Sequence, residues 1–257
     1  MTSTMPIRDS TRYMRHLARL IVGKDVIVSN KVAVDHIVLG SEYGRWPLLP
    51  AMTSDRSVVY SFGVGEDITF DLAAIERFHC QIYAFDPTPR SVKWIKDQPT
   101  PPEFHFHEFG IDAKPGEMLF HPPKLDTHVS YTVSSSGSSN GEPVKAQVLD
   151  LGTIMQRLNH KRIDILKMDV EGAEYAVIET LAQQGSLPEQ IMVEFHHGMY
   201  GYTARDTKLA LDTLRHDGYY LYYVSNSWRE FGFLHRDSEV GMSVASSRHI
   251  LHTAHTP

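Results

Sequence analysis

The sequence predicts a doubly wound α/β fold: a mainly parallel sheet, helices on both faces, and an antiparallel strand pair at the C-terminal end. Three observations carry this. From Ser57 onward, short apolar runs alternate with amphipathic stretches of helical period. Gly63 and Gly65 fall where the first of those runs gives way to a helical stretch. An acid, Asp86, closes the next run, 23 positions after Gly63.

Taken in order, Val58 to Phe62 reads as a buried strand, Ile68 to Phe78 as a helix and Gln81 to Phe85 as a strand. Thr88 and Pro89 supply a cap and a first-turn proline for a helix through Lys96. Phe104 to His107 and Met118 to Phe120 are short strands, and Asp150 caps a helix over Leu151 to Leu158. Ile163 to Met168 is a strand, Ala173 to Leu181 a helix, Ile191 to Phe195 a strand and Thr207 to His216 a helix. Tyr219 to Val224 and Arg229 to Leu234 form the closing pair.

Three divisions follow: an N-terminal extension or lid over 1–56, the α/β domain over 57–245, and a tail over 246–257. In the first, Ser10 caps a short helix with Tyr13, Leu17, Leu20 and Ile21 on one face, and Gly23 ends it. Val26 to Val28 and Val32 to Val34 read as strands or core-lining loop. Gly40 to Pro47 combines turn residues with two aromatics, as a lid or a packed loop would. Ser134 to Gly141 is a low-complexity surface loop.

The chain has 257 residues, 42% hydrophobic and 22% charged, which excludes disordered and fibrous classes. A net charge of −6 argues against a nucleic-acid binder. The single cysteine, Cys80, makes neither an intrachain disulfide nor a cysteine zinc site and reads as a structural thiol. No apolar run approaches the roughly 20 residues of a membrane span, and the N-terminus lacks the plan of a signal peptide, so the cytoplasm is expected. No membrane or nucleic-acid partner is expected; a homo-oligomer is compatible with the sequence.

Four constellations carry chemistry. Gly63 and Gly65 let backbone approach a ligand at a strand end. Asp86 is placed to accept from two ribose hydroxyls, with helix capping as the alternative. Lys167, Asp169 and Glu171 emerge together at the end of an apolar strand, where burial without partners is costly. Glu194 and His196 share a face at the end of the next strand. With Asp169 they can supply a general base and its orienting carboxylate, or bind a hard divalent cation.

The run Ile163-Asp164-Ile165-Leu166-Lys167-Met168-Asp169-Val170-Glu171-Gly172-Ala173-Glu174 resembles the Lys-x-Asp-x-Glu-Gly signature of FkbM-type class I S-adenosylmethionine-dependent methyltransferases. The resemblance covers about Val58 to Leu234. It implies a Rossmann-like sheet of seven strands and S-adenosylmethionine as cofactor. It assigns cofactor contacts to Phe62, Gly63, Gly65, Asp86, Asp169 and, from the loop His107 to Asp112, Gly110 and Asp112. Where the family often has an acid and a third glycine, this chain has Ser61 and Asp67. Glu66 or Asp67 is therefore expected at the cofactor's methionine end. The implied reaction is O-methylation of a small hydroxyl acceptor, a sugar or a secondary metabolite. His196 would be the base, oriented by Glu194 or Asp169. The variant reading, a divalent metal on Asp169, Glu194 and His196, is not preferred, because three ligands are few for a hard cation. The rivals are an N- or RNA methyltransferase on the same fold and a non-catalytic nucleotide-binding module. Tyr43, Trp46, Tyr200 and Tyr202 are candidate walls for the acceptor.

Overall fold

The computed structural model describes residues 14, 16–28, 31–121, 142–184 and 187–245. The Ser134–Gly141 loop, the helix start at Ser10 and Tyr13, and the tail from Ser246 lie outside the described residues.

The chain enters through a small antiparallel pair, β1 (Ile37–Leu39) and β2 (Trp46–Leu48). The α/β domain follows with β3 (Val58–Phe62), α1 (Thr69–Phe78), β4 (Gln81–Phe85), α2 (Pro89–Ile95) and β5 (Phe104–His107). Next come β6 (Gly110–Ile111), β7 (Gly116–Phe120), β8 (Val144–Leu149) and α3 (Leu151–Arg157). The second half is β9 (Ile165–Met168), α4 (Glu174–Thr180), β10 (Gln190–Glu194), α5 (Ala204–His216), β11 (Tyr219–Val224) and β12 (Glu230–His235).

Seven strands form one sheet in the order β11-β12-β10-β9-β3-β4-β5. Among them β12 alone runs against its neighbours β10 and β11. The central strands β3, β9 and β10 are apolar almost throughout because both of their faces are covered. On one face Phe62, Leu166 and Val193 pack with Leu151 and Ile154 of α3, Ile178 of α4 and Leu214 of α5. On the other, Val59, Ile165 and Met192 pack with Ala74 of α1, Ile95 of α2, and Trp46 and Leu48 of β2. The segment before Ser57 is thus built into the core. Val32 and Leu49 are also buried, and the Val32 N–H donates to the Leu221 carbonyl without forming a strand.

The expected strands and helices are present. Cys80 is fully buried, and burial pushes its thiol up to about 11, as suits a structural thiol. Four details differ from expectation. β8 completes a second sheet, β6-β8-β7, that was not among the expected elements. Its signal is the alternation of Val144, Ala146 and Val148 with exposed Lys145 and Gln147, and pairing with β7 realises it. Helical residues 16–21 do end at Gly23, whose φ is +67°. Their buried member, however, is His16, stacked on Trp228 at 3.7 Å, while Ile21 is 86% exposed. The Thr88 hydroxyl donates to Asp86 and lies 2.9 Å from the Ser91 hydroxyl, and it accepts no backbone N–H of its helix. Finally, α5 begins three residues early because Thr203 and Asp206 form a reciprocal capping box.

Where β3 ends, Gly63 has φ +82°, and a Cβ there would lie 1.8 Å from the Asp169 carbonyl oxygen. Only glycine lets the two strand ends come this close. Gly63→Ala is expected to destabilise the protein by about 2–5 kcal/mol through overpacking and left-handed strain. Urea unfolding would measure it, and a wild-type midpoint would mean the strand ends separate freely.

Candidate functional site

The chain runs from β3 outward to β4 and β5, then returns to β9 and β10 on the other side of β3. In doubly wound sheets, ligands bind outside the carboxyl ends of the strands at such a reversal. Gly63, Asp86, Asp169 and Glu194 all stand at those ends.

The loop after β3 is held from several sides. The Gly63 N–H donates to the Phe85 carbonyl, and the Gly65 N–H to Asp86 Oδ2 at 2.9 Å. Asp86 Oδ1 accepts from the Thr88 N–H and hydroxyl at 2.9 and 2.6 Å. Asp86 therefore does the turn-closing work of a capping acid and also ties the glycine loop. Oδ2 retains a lone pair, so it can still accept from a ribose hydroxyl. A Cβ on Gly65 would meet nothing within 4 Å, which leaves the loop backbone open to a ligand. Gly110 packs its backbone against Pro87 and Val148, and the Asp112 N–H donates to the Leu149 carbonyl. Both follow the end of β5, Gly110 as the first residue of β6 and Asp112 just beyond that strand.

Three expected cofactor contacts come out differently. The Phe62 ring is buried and stacks on Phe85 at 4.4 Å, so it belongs to the core and only its backbone borders the site. Glu66 is engaged by Arg90 in a two-pronged pair at 2.8 and 2.9 Å. Asp67 accepts from Ser41, the Thr69 N–H and the Thr69 hydroxyl. Both carboxylates are committed to loop structure and not held free for the cofactor's methionine end.

The second half of the site is a histidine ringed by acids. After β9 the chain turns sharply through Glu171 (φ +49°) and Gly172 (φ +109°) into α4. A Cβ on Gly172 would lie 2.9 Å from the Tyr202 ring, so glycine is required there. The turn brings Glu171 and Glu174 onto His196. Glu174 is wholly buried; its Oε1 lies 3.1 Å from His196 Nδ1 and accepts the His196 backbone N–H at 3.0 Å. Its Oε2 accepts the Gly172 N–H at 2.8 Å. A carboxylate only accepts, so Nδ1 carries hydrogen and Nε2 faces outward. Around Nε2 stand Glu171 at 3.2 Å, Asp169 at 3.8 Å and Glu194 at 3.9 Å. The Tyr200 hydroxyl donates to Glu171.

Asp169, Glu194 and His196 are thus brought together as the sequence suggested, but the orienting carboxylate is Glu174, with neither Asp169 nor Glu194 in that part. Glu171, singled out at the strand end without a role, joins the histidine, and Glu174 was missed as a site residue. A signal for Glu174 was present: it shares the helical face of Val177, Ile178 and Leu181, an acid at a core position that must find a partner. Among the proposed acceptor walls, Trp46 is buried and Tyr202 stacks on Tyr175 at 4.2 Å, while Tyr43 is 82% exposed.

Burial opposes the charge of His196, yet the hydrogen bond and charge of Glu174, with Glu171 and Asp169, raise its pKa to about 10. Burial, then repulsion from Asp169, pushes Glu194 up to about 9. Burial also raises Asp169, to about 6, against the pull of His196 and Lys167. The surrounding carboxylates thus favour the charged form of His196, while burial and mutual repulsion favour proton retention on Glu194 more than on Asp169.

The strand order, the single antiparallel strand β12 and the glycine loop after β3 define a Rossmann-like class I fold of S-adenosylmethionine-dependent methyltransferases. The chain belongs to the FkbM methyltransferase domain family, whose model matches residues 57–221. It is similar to the probable methyltransferase-like protein 24 of Rattus norvegicus, 24% identical over 198 residues, 73% of this chain and 47% of that protein. The Homo sapiens counterpart is 22% identical over 195 residues, with the same coverage. The chain spans about half the length of these curated relatives. Among solved structures, an FkbM methyltransferase from Methylobacillus flagellatus KT aligns at TM-score 0.43 and 14% identity, covering 71% of this chain and 44% of that one. The Methanococcus jannaschii fibrillarin pre-rRNA processing protein aligns at TM-score 0.47 and 11% identity, covering 82% and 86%. Among the described residues no helix is long and apolar enough to cross a membrane.

His196 and Glu194 have pKa values raised above the unfolded 6.5 and 4.5, so each binds its proton more tightly when folded. The stability due to His196 is complete below about pH 6.5 and is lost as pH rises through about 10; that of Glu194 is lost through about 9. Urea midpoints should therefore fall as pH rises across that window, and Glu194→Gln should flatten the fall. A wild-type midpoint that holds steady there would contradict the assigned protonation.

Proposed function

We propose that this chain methylates a hydroxyl oxygen on a small acceptor, a sugar or a secondary metabolite. The observation that supports this most is the proton-handling cluster of Asp169, Glu194 and His196 beside the glycine loop, because a hydroxyl must give up its proton to become a nucleophile. Bound S-adenosylmethionine would supply an activated methyl group, so the protein's task is alignment and proton removal. Gly63, Gly65, Asp86, Gly110 and Asp112 are the residues that would hold it. The open space over Gly65 and the spare lone pair of Asp86 suit a nucleoside.

We assign proton removal to Asp169 in place of the expected His196, because the surrounding carboxylates raise the His196 pKa to about 10 and so favour its protonated form. Asp169, with its side chain a third exposed and its pKa near 6, is the ionised group that can take a hydroxyl proton. His196 Nε2 lies 3.8 Å from that carboxylate and acts on it through charge, and buried Glu174 fixes His196. The concentration of carboxylates, with the net charge of −6, disfavours a phosphate-bearing polymer as acceptor.

A second reading has its own observation. Ligand atoms of Asp169, Glu171 and His196 lie within 4.8 Å of one another. The Glu174–Nδ1 bond leaves Nε2 turned toward that space, as a histidine bound to a divalent cation requires. Glu171 stands in that set in place of the expected Glu194.

Labelled-methyl transfer to a panel of sugars, polyols and amines tests the proposal. Hydroxyl products are expected, and Asp169→Asn should slow transfer about 10²–10⁴-fold while S-adenosylhomocysteine binding persists. Methylation of amines alone would overturn the oxygen assignment. Calorimetric titration with Mn²⁺ decides the second reading: saturable binding that Glu171→Gln abolishes supports it, and no heat of binding removes it.

A further inference from the structure

We infer that residues 40–46, which precede the segment matched by the family, form a strap that positions the cofactor loop, with Ser41 and Lys167 as its fastening residues. This inference rests on the cofactor reading above and deepens it.

The strap begins as a tight loop folded against the end of the glycine turn. Gly40 has φ +100°, and a Cβ there would lie 2.2 Å from the Gly44 carbonyl oxygen. The Ser41 hydroxyl accepts the Gly44 and Tyr43 N–H groups at 2.8 and 3.1 Å and donates to Asp67 Oδ2 at 2.7 Å. The Ser41 N–H donates to the Thr69 hydroxyl at 2.7 Å, and Thr69 in turn donates to Asp67 Oδ1 at 2.6 Å. Gly44 lies so close that a Cβ there would be 2.6 Å from Asp67 Oδ2. One side of the loop Gly63–Asp67 is therefore sewn to the strap through a single serine.

The other end of that loop is held from below. Lys167 is 4% exposed, and its Nζ lies 3.3 Å from the Gly63 carbonyl and 3.5 Å from that of Phe62. The Trp46 ring, at the far end of the strap, lies 4.9 Å from the same Nζ. The first carbonyl of the loop, the last carbonyl of β3 and an aromatic face thus surround an ammonium that is removed from water. Buried Asp71 completes the surroundings: burial raises its pKa and the charge of Lys167 lowers it. The Gly63 carbonyl drawn down onto Lys167 sets the peptide plane at the start of the loop, and so the direction from which its backbone meets a ligand. Small errors in such a direction are expensive in binding and in alignment.

Ser41 and Lys167 are positioning residues, since neither need touch the cofactor. Calorimetric titration with S-adenosylhomocysteine, paired with thermal unfolding, tests the inference on wild type, Ser41→Ala, Ser41→Thr and Lys167→Met. Ser41→Ala and Lys167→Met should raise Kd about 3- to 30-fold, and Ser41→Thr, which keeps the hydroxyl, should stay within about twofold of wild type. Ser41→Ala should leave Tm nearly unchanged. Kd values at the wild-type level in the folded variants, with or without a change in Tm, would overturn the strap. If Lys167→Met does not fold, Ser41→Ala against Ser41→Thr decides alone. A wild-type protein that fails to bind S-adenosylhomocysteine would instead bring down the cofactor reading, and the strap with it.

Discussion

The buried carboxylate of Glu174 is the constraint on which the site depends. A charge without solvent exposure is tolerable only when its lone pairs are filled, and Glu174 fills them from three sources: the Gly172 N–H, the His196 N–H and His196 Nδ1. Those bonds join the turn after β9, the start of α4 and the segment after β10. They also fix which face of the imidazole turns toward Asp169, Glu171 and Glu194.

The residues of the Lys-x-Asp-x-Glu-Gly-x-Glu run can now each be given a task. Lys167 lies beneath the glycine loop, and the Asp169 N–H donates to the Phe62 carbonyl, closing β9 onto β3. Glu171 meets His196 Nε2 and the Tyr200 hydroxyl. Gly172 reverses the chain beneath Tyr202. Glu174 holds the histidine. A compact sequence signature therefore encodes contacts to two separate parts of the fold, the end of β3 and the segment after β10.

The segment after β10 is also held from outside the acidic cluster. Arg229 donates to the carbonyls of Phe195 and His197 at 3.0 and 2.6 Å. His197 Nε2 lies 2.9 Å from Asp25, and its Nδ1 lies 3.2 Å from the Thr207 hydroxyl. Asp25 also receives Arg19. His197 is thus a structural neighbour of the site, while His196 belongs to the site itself. The N-terminal segment contributes to both halves: through Asp25 beneath the histidine and through Ser41 and Trp46 beside the glycine loop.

The sequence by itself determined the sheet and the position of its functional edge. Unbroken apolar runs such as Ile165-Leu166 and Ile191-Met192-Val193 have no stable place except between two covering layers, and the alternation of such runs with helices allows few topologies. Glycines and acids at the ends of those runs mark the ligand edge for the same reason: neither suits a strand interior. What only the tertiary structure decided was the pairing of charges. Glu66 could not be assigned to Arg90, nor Asp67 to Ser41, nor His196 to Glu174, because each pair is made by chain reversals that bring remote or intervening elements together. The protonation of His196 followed from that pairing. An imidazole titrates according to the charges around it, and strand periodicity fixes the direction of a side chain without fixing the partners it meets.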